Sequence, residues 1–148
     1  MKKIFILICA LFVVANVSAQ PRKVGDILMV DEEIGVIIAV STDGRHGKVM
    51  SVSETQCNWN DAKKWCANLG LGGYWTLPTI EELILIYRQK SVINSALSAN
   101  GYATLTDWGY WSSDWKDTDF AYGLYMPQGF YIPCEKSSNN SVRAVCTF

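Results

Sequence analysis

Few side chains in this chain could carry out acid–base or nucleophilic chemistry. The only histidine, His46, lies in a glycine-flanked turn, and both Ser-His-Asp and Cys-His mechanisms would have to use it. A carboxylate pair for glycoside hydrolysis could be drawn from the loop acids Asp107, Asp114, Asp117 and Asp119. Acids in loops are usually only solvated, so we expect a protein that is not an enzyme, with a secreted glycan-active enzyme as an alternative.

Cysteines are the second chemically capable group. Cys9 lies in the apolar N-terminal segment, and four others follow it, Cys57, Cys66, Cys134 and Cys146. An even number in an exported chain favours disulfides, and the sequence alone leaves all three pairings open. Zinc sites usually contain cysteines two to four residues apart, and no such pair and no C-x-x-C is present. We therefore expect disulfides and neither a metal nor another cofactor.

Aromatic side chains concentrate late in the chain, where ten of the thirty residues from Tyr102 to Tyr131 are aromatic. The run from 114 to 122 combines rings on which sugars or peptide side chains can stack with short polar groups that form directional hydrogen bonds. An aromatic-rich β-core with polar alternation is the competing interpretation. We predict that four residues of this run contact a ligand: Trp115, Asp117, Asp119 and Tyr122. The Glu-Pro-Asn and Gln-Pro-Asp signatures of calcium-dependent lectins are absent.

The first 19 residues have the pattern of a secretory signal peptide. Lys2 and Lys3 precede an apolar run from Ile4 to Ala15, and a small-residue cleavage site ends at Ala19. We predict a signal peptide at 1–19 and one mature domain at 20–148, secreted to the periplasm, cell surface or extracellular space. The apolar run is too short to span a bilayer and no later stretch is longer, so we expect no membrane-embedded segment.

Composition limits the partners of the predicted mature domain. Removing two lysines with the signal leaves 13 − 2 = 11 basic residues against 14 acidic ones, a net charge of −3. A phosphate-binding surface needs a basic excess, so nucleic acid is not an expected partner. The chain is 49% hydrophobic and 18% charged, which predicts a folded domain rather than a disordered one.

Hydrophobic periodicity predicts strands, then two helices, then strands again. The first helix starts at Trp59 after a possible N-cap at Asn58, and the second follows a Thr79–Glu82 capping box and runs to about residue 90. Strands are predicted at 24–30, 35–41, 48–53, 120–125, 130–134 and 141–147, with a tight turn at 126–129. This order describes an α+β domain with a mostly antiparallel sheet.

Several short motifs resemble an exported domain of unknown function, the C-terminal domain family of a bacterial collagen-like adhesin (Lcl). They occur in the family's order: Gly35-Val-Ile37, His46-Gly-Lys-Val49, Ala62-x-x-x-Cys66, Gly73-Tyr-Trp-Thr-Leu-Pro-Thr79 with Glu82-Leu83, Tyr110-Trp-Ser-Ser113 and Val142-Arg-Ala-Val145. The family usually has arginine where this chain has Thr76, so no role of that arginine carries over. Within these motifs we expect Trp75 and Trp111 to fill the core and Arg143 to pair with an acid at the core edge.

The resemblance implies a C-type lectin-like fold, with two short helices packed on a mostly antiparallel, loop-rich sheet. It also implies a disulfide from the first helix to the last strand, Cys66 with Cys146, which leaves Cys57 with Cys134. The expected function is an exported binding or adhesion module that recognises a glycan or protein ligand through its late loops and strands. A structural or tip subunit of a surface appendage is the alternative.

Overall fold

The computed structural model describes residues 20–148, so the signal peptide predicted at 1–19 lies outside the described residues. The domain is α+β, as predicted, with three helices and two mostly antiparallel sheets. None of the helices in the described part of the chain has the length and apolar character needed to cross a membrane. The elements in chain order are β1 (Ile27–Val30), β2 (Glu33–Val40), β3 (Gly47–Ser51), β4 (Thr55–Cys57), α1 (Trp59–Ala67), α2 (Ile80–Arg88), α3 (Lys90–Ala99), β5 (Gly109–Trp115), β6 (Phe120–Tyr125), β7 (Phe130–Glu135), β8 (Asn140–Val142) and β9 (Val145–Thr147).

Each of the two sheets includes one of the last two strands of the chain. The first sheet has the order β1-β2-β3-β9, and the second has the order β4-β8-β5-β6-β7, in which only the β5–β8 pair is parallel. The single terminal strand predicted at 141–147 is wrong, because the chain leaves one sheet after Val142 and enters the other at Val145. Between them, the backbone carbonyl of Ala144 accepts a hydrogen bond from Ser51 N at 2.8 Å.

The helices begin where the capping signals place them. Asn58 accepts a hydrogen bond from Asp61 N at the start of α1, and Thr79 and Glu82 form a reciprocal capping box at the start of α2. The third helix was not predicted from the sequence. It follows α2 after a single residue, Gln89, which provides no side-chain cap, so no local signal marks its start.

Neighbouring residues on the central strands point into two different cores. Tyr110 and Leu124 belong to a core beneath α2 and α3, whereas Trp111 and Ala121 belong to a core beneath α1. This alternation follows from the two-residue period of a strand. Trp75 and Trp111 are both completely buried in the second core, as predicted.

Arg143 pairs with an acid at the core edge, as predicted. Its guanidinium is almost fully buried, and Nε donates to Glu54 Oε2 at 2.7 Å. The same carboxylate oxygen accepts a hydrogen bond from the Tyr110 hydroxyl at 2.6 Å. The other guanidinium nitrogens donate to four backbone carbonyls, those of Ser51, Val52, Ala103 and Thr104. One side chain therefore joins the end of β3 to the loop before β5.

The turn between β1 and β2 is strained at two residues. Asp31 has φ 51° and Glu32 has φ 62°, a region that L residues with side chains rarely adopt. The Asp31 carboxylate accepts a hydrogen bond from Gly72 N at 2.8 Å, which ties the turn to the loop after α1. The strain at Glu32 has no comparable side-chain contact to offset it.

Replacing Glu32 with glycine should stabilise the domain. Glu32→Gly removes the left-handed strain, and the gain exceeds the added chain entropy by about 0.5–1 kcal/mol. Urea unfolding should show a higher midpoint at an unchanged slope. Glu33→Gly, one residue later in β2, is the matched control and should destabilise the domain. A lower midpoint for Glu32→Gly would show that the turn is not strained in solution.

Candidate functional site

A groove lies on one face of the second sheet, where helix α1 no longer covers it. Gly109 of β5 and Gly123 of β6 form its floor, and its volume is about 280 Å³. The residues around this floor come from three strands and two loops: Trp108, Leu124, Tyr125, Phe130, Ile132, Cys134, Asn139 and Asn140. We call this feature the sheet groove.

The two glycines keep the floor open. A Cβ atom at Gly109 would lie 2.9 Å from Asn140 Oδ1, and one at Gly123 would lie 3.3 Å from Cys134 Sγ. Neither glycine has a positive φ, so the backbone itself does not require glycine at these positions. What the glycines provide is space, which the Asn140 carboxamide and the Cys134 thiol partly occupy.

Large apolar side chains form the walls and remain exposed. Trp108 is 55% exposed, Phe130 47% and Ile132 48%. The Tyr125 and Phe130 rings contact each other with centroids 5.4 Å apart, so neighbouring packing holds one wall in place. A cluster of exposed apolar side chains around a concavity is typical of an interaction site.

The groove also contains an amide that the rest of the domain does not use. Asn140 is half-buried, and its carboxamide makes no hydrogen bond with any residue between 20 and 148. The backbone of Asn140 is fixed by pairing with Cys57 of β4. No charged residue is among the residues that line the groove. The arrangement offers stacking surfaces and one two-sided hydrogen-bonding group to a ligand.

The wall strand β7 is at the edge of the sheet. It pairs only with β6, and Pro133 lies in its middle. Proline has no N–H to donate to a further strand, so it protects an edge against strand addition. The apolar side chains of β7 are therefore better placed to contact a ligand on the face of the sheet than a strand at its edge.

Three of the four ligand residues predicted from the sequence lie together at another corner of the domain. Trp115 is 61% exposed, and Lys136 Nζ lies 5.1 Å from its ring centroid. Asp117 Oδ1 accepts hydrogen bonds from Asp119 N at 3.0 Å and from Phe120 N at 2.9 Å, so this carboxylate holds the turn. The Asp119 side chain is exposed.

The fourth predicted residue, Tyr122, lies on the opposite face of the sheet. Trp115 is paired with Ala121, and the next residue along β6 points to the other side. The Tyr122 and Tyr131 rings pack edge to face, with their centroids 5.8 Å apart, and Tyr122 packs against the core beneath α2. The structure thus separates Tyr122 from the other three, and none of the four lines the sheet groove.

The four cysteines of residues 20–148 are free thiols in the structure, which contains neither of the predicted bridges Cys66–Cys146 and Cys57–Cys134. Cys66 and Cys146 are both buried in the core beneath α1, where they pack as small apolar side chains. Burial, with a smaller contribution from nearby Cys57, raises the pKa of the Cys66 thiol to about 12. Burial also raises the pKa of Cys57 and Cys146.

These positions predict which thiols react in the folded protein. At pH 8, iodoacetamide should modify half-buried Cys57 and Cys134 and leave Cys66 and Cys146 unmodified until the domain unfolds. Because the folded-state pKa of Cys66 lies above its ordinary value of 9.0, its contribution to stability is present below pH 9 and is lost as the pH rises towards 12. Mass spectrometry of alkylated peptides identifies the thiols that react, and urea unfolding above pH 9 measures the loss of stability. Four thiols that stay unreactive after unfolding without reductant would show disulfides instead.

In residues 20–148, no group of three or more histidine, cysteine, aspartate or glutamate side chains is arranged to hold a metal ion.

The chain was compared with curated proteins and with protein-family models. No match was found among curated proteins. The family model of the Lcl C-terminal domain matches residues 31–146, which include β2 to β8, both cores and the sheet groove. The chain therefore belongs to the Lcl C-terminal domain family.

Proposed function

We propose that this domain is an exported binding or adhesion module and that its ligand occupies the sheet groove. The observation that carries the proposal is the exposed wall of Trp108, Phe130 and Ile132 around a glycine floor that holds the unpartnered Asn140 carboxamide. A groove with mostly apolar walls and a few polar groups is typical of a preformed ligand site.

The lining of the groove favours binding over catalysis. It contains no histidine and no carboxylate, the groups that most often transfer protons in enzyme sites. Its two titratable side chains are the Tyr125 phenol and the Cys134 thiol. Cys134 has no histidine beside it, because the only histidine in the chain lies in the turn before β3.

The cellular location and the finer fold belong to the same proposal. Membership of the Lcl C-terminal domain family, together with the signal-peptide pattern at 1–19, supports secretion to the cell surface or the extracellular space. The α+β architecture with two mostly antiparallel sheets is compatible with a C-type lectin-like fold, which we propose for this domain. A glycan or a surface protein is the ligand expected of such a module.

Two exposed tryptophans provide the test. Trp108→Ala should weaken binding by about 2 kcal/mol or more, as expected for an aromatic hot spot, whereas Trp115→Ala outside the groove should change binding little. Both variants should melt within a few degrees of the parent, because both side chains are more than half exposed. Glycan arrays and surface-protein screens with the parent and both variants give the comparison.

The opposite result would favour the site predicted from the sequence. If Trp115→Ala abolishes binding and Trp108→Ala does not, the ligand contacts the corner formed by Trp115, Asp117 and Asp119, and the sheet groove is not the site. If the parent binds no ligand but self-associates through its apolar groove, the domain is a subunit of a surface assembly. Analytical ultracentrifugation of the parent and Trp108→Ala detects that outcome.

A further inference from the structure

We infer that the sheet groove takes one uncharged sugar residue, an inference that rests on the proposed function. The required ligand has a flat apolar face for the rings, hydroxyl groups for the Asn140 carboxamide and no formal charge. A neutral pyranose unit combines these three properties. The remainder of a glycan would lie outside the groove, whose volume of about 280 Å³ is just below the range of roughly 300–1,000 Å³ found for pockets of drug-sized ligands.

The charge of the lining excludes an ionic ligand. None of the residues around the groove carries a formal charge. Glu135, the next residue after Cys134 on β7, points to the opposite face of the sheet. A carboxylate, sulfate or ammonium group entering the groove would lose water without meeting an opposite charge, which is unfavourable. The occupant is therefore neutral.

The Asn140 carboxamide excludes a purely hydrocarbon ligand. Its Oδ1 lies above Gly109 and its Nδ2 above Gly123, so both polar atoms lie at the floor of the groove. A hydrocarbon chain would cover both atoms without giving either a hydrogen bond, and unsatisfied buried polar groups oppose binding. A pair of neighbouring hydroxyls can donate to Oδ1 and accept from Nδ2 at the same time.

The aromatic wall and the edge strand distinguish a sugar ring from an extended peptide. Trp108 and Phe130 offer exposed ring surface beside the amide, and the C–H face of a pyranose can stack on it. A peptide recognised by strand addition would need backbone donors from β7, and Pro133 removes one in the middle of that strand. A ligand on the face of the sheet does not depend on those donors.

The experiment uses the domain with neutral methyl glycosides of glucose, galactose, mannose and N-acetylglucosamine as probes. At least one glycoside should shift the NMR signals of the Asn140 side-chain amide and the Trp108 indole and should slow Cys134 alkylation several-fold. Asn140→Ala and Gly109→Ala should each weaken that binding at least tenfold, since the first removes the amide and the second displaces it. Asn60→Ala, on the exposed face of α1, is the matched control and should bind like the parent.

The outcomes separate this inference from the proposed function. Suppose that Trp108→Ala abolishes the binding found in the glycan and surface-protein screens, but no neutral methyl glycoside binds or competes. The groove is then the site, and the assigned ligand class is wrong. Competition by decanol or by an anionic sugar, together with unchanged binding by Asn140→Ala, would also overturn the sugar assignment. If Trp108→Ala does not change the binding found in those screens, the proposed function itself fails.

Discussion

Trp111→Ala should lower the free energy of unfolding by about 3–5 kcal/mol. Trp111 is completely buried in the core beneath α1, and its indole Nε1 donates to the carbonyl of Cys57 at 2.9 Å. The neighbour opposite it on β6 is Gly123, which has no side chain that could move into the space. The expected loss is a large part of the roughly 5–15 kcal/mol that stabilises a typical domain, so urea unfolding should show a much lower midpoint.

Substitutions to phenylalanine separate packing from hydrogen bonding. Trp111→Phe removes a satisfied N–H group, whereas Trp75→Phe removes the one buried side-chain polar atom without a partner in residues 20–148, Trp75 Nε1. Both changes leave a similar cavity, so Trp111→Phe should cost about 1 kcal/mol more than Trp75→Phe. Equal losses in the two variants would mean that the Cys57 carbonyl finds another donor. A small loss in Trp111→Ala would mean that the core collapses around the missing ring.

Arg143→Met should also lower the free energy of unfolding by about 3–5 kcal/mol. The guanidinium is 1% exposed and donates to Glu54 Oε2 at 2.7 Å. Without it, the partly buried Glu54 carboxylate keeps only the hydrogen bond from Tyr110, and the carbonyls that Arg143 bonds lose their donors. Chemical denaturation at pH 7 measures the loss, and circular dichroism checks that the variant folds.

A double mutant tests whether the charge left behind is the main cost. Arg143→Met with Glu54→Leu removes both charges, so part of the stability lost in Arg143→Met should return. Lys48→Met is the matched control, since its ion pair with Glu82 is partly exposed and should be worth at most about 1 kcal/mol. If the double mutant is as unstable as Arg143→Met alone, the unpaired backbone carbonyls cause the loss.

Elements with local signals could be predicted from the sequence. Asn58 and the Thr79–Glu82 capping box mark helix starts through contacts within three residues, and β6 has the predicted bounds 120–125. The start of α3 and the break between β8 and β9 have no such signal. They depend on where residues 89 and 143–144 meet distant parts of the chain.

The candidate site was harder to predict because it is assembled from distant segments. Gly109, Gly123 and Asn140 come together only through the strand order of the second sheet. The two-residue alternation of side chains along β6 separates Trp115, which is paired with Ala121, from Tyr122 on the opposite face. Gly123, inside the strand predicted at 120–125, was the available signal for a close approach of other groups, and the sequence alone could not say which groups these are.

The placement of β8 and β9 fixes the order in which the domain can be completed. Strand β8 lies between β4 and β5, and β9 covers the open edge of β3, so residues 140–147 finish both sheets. Before these residues join the sheets, β4 has no sheet partner and the two halves of the second sheet are not connected. Closing such long-range contacts requires large loops to be ordered first, which slows folding. A chain in which this segment has not yet docked therefore cannot complete either sheet.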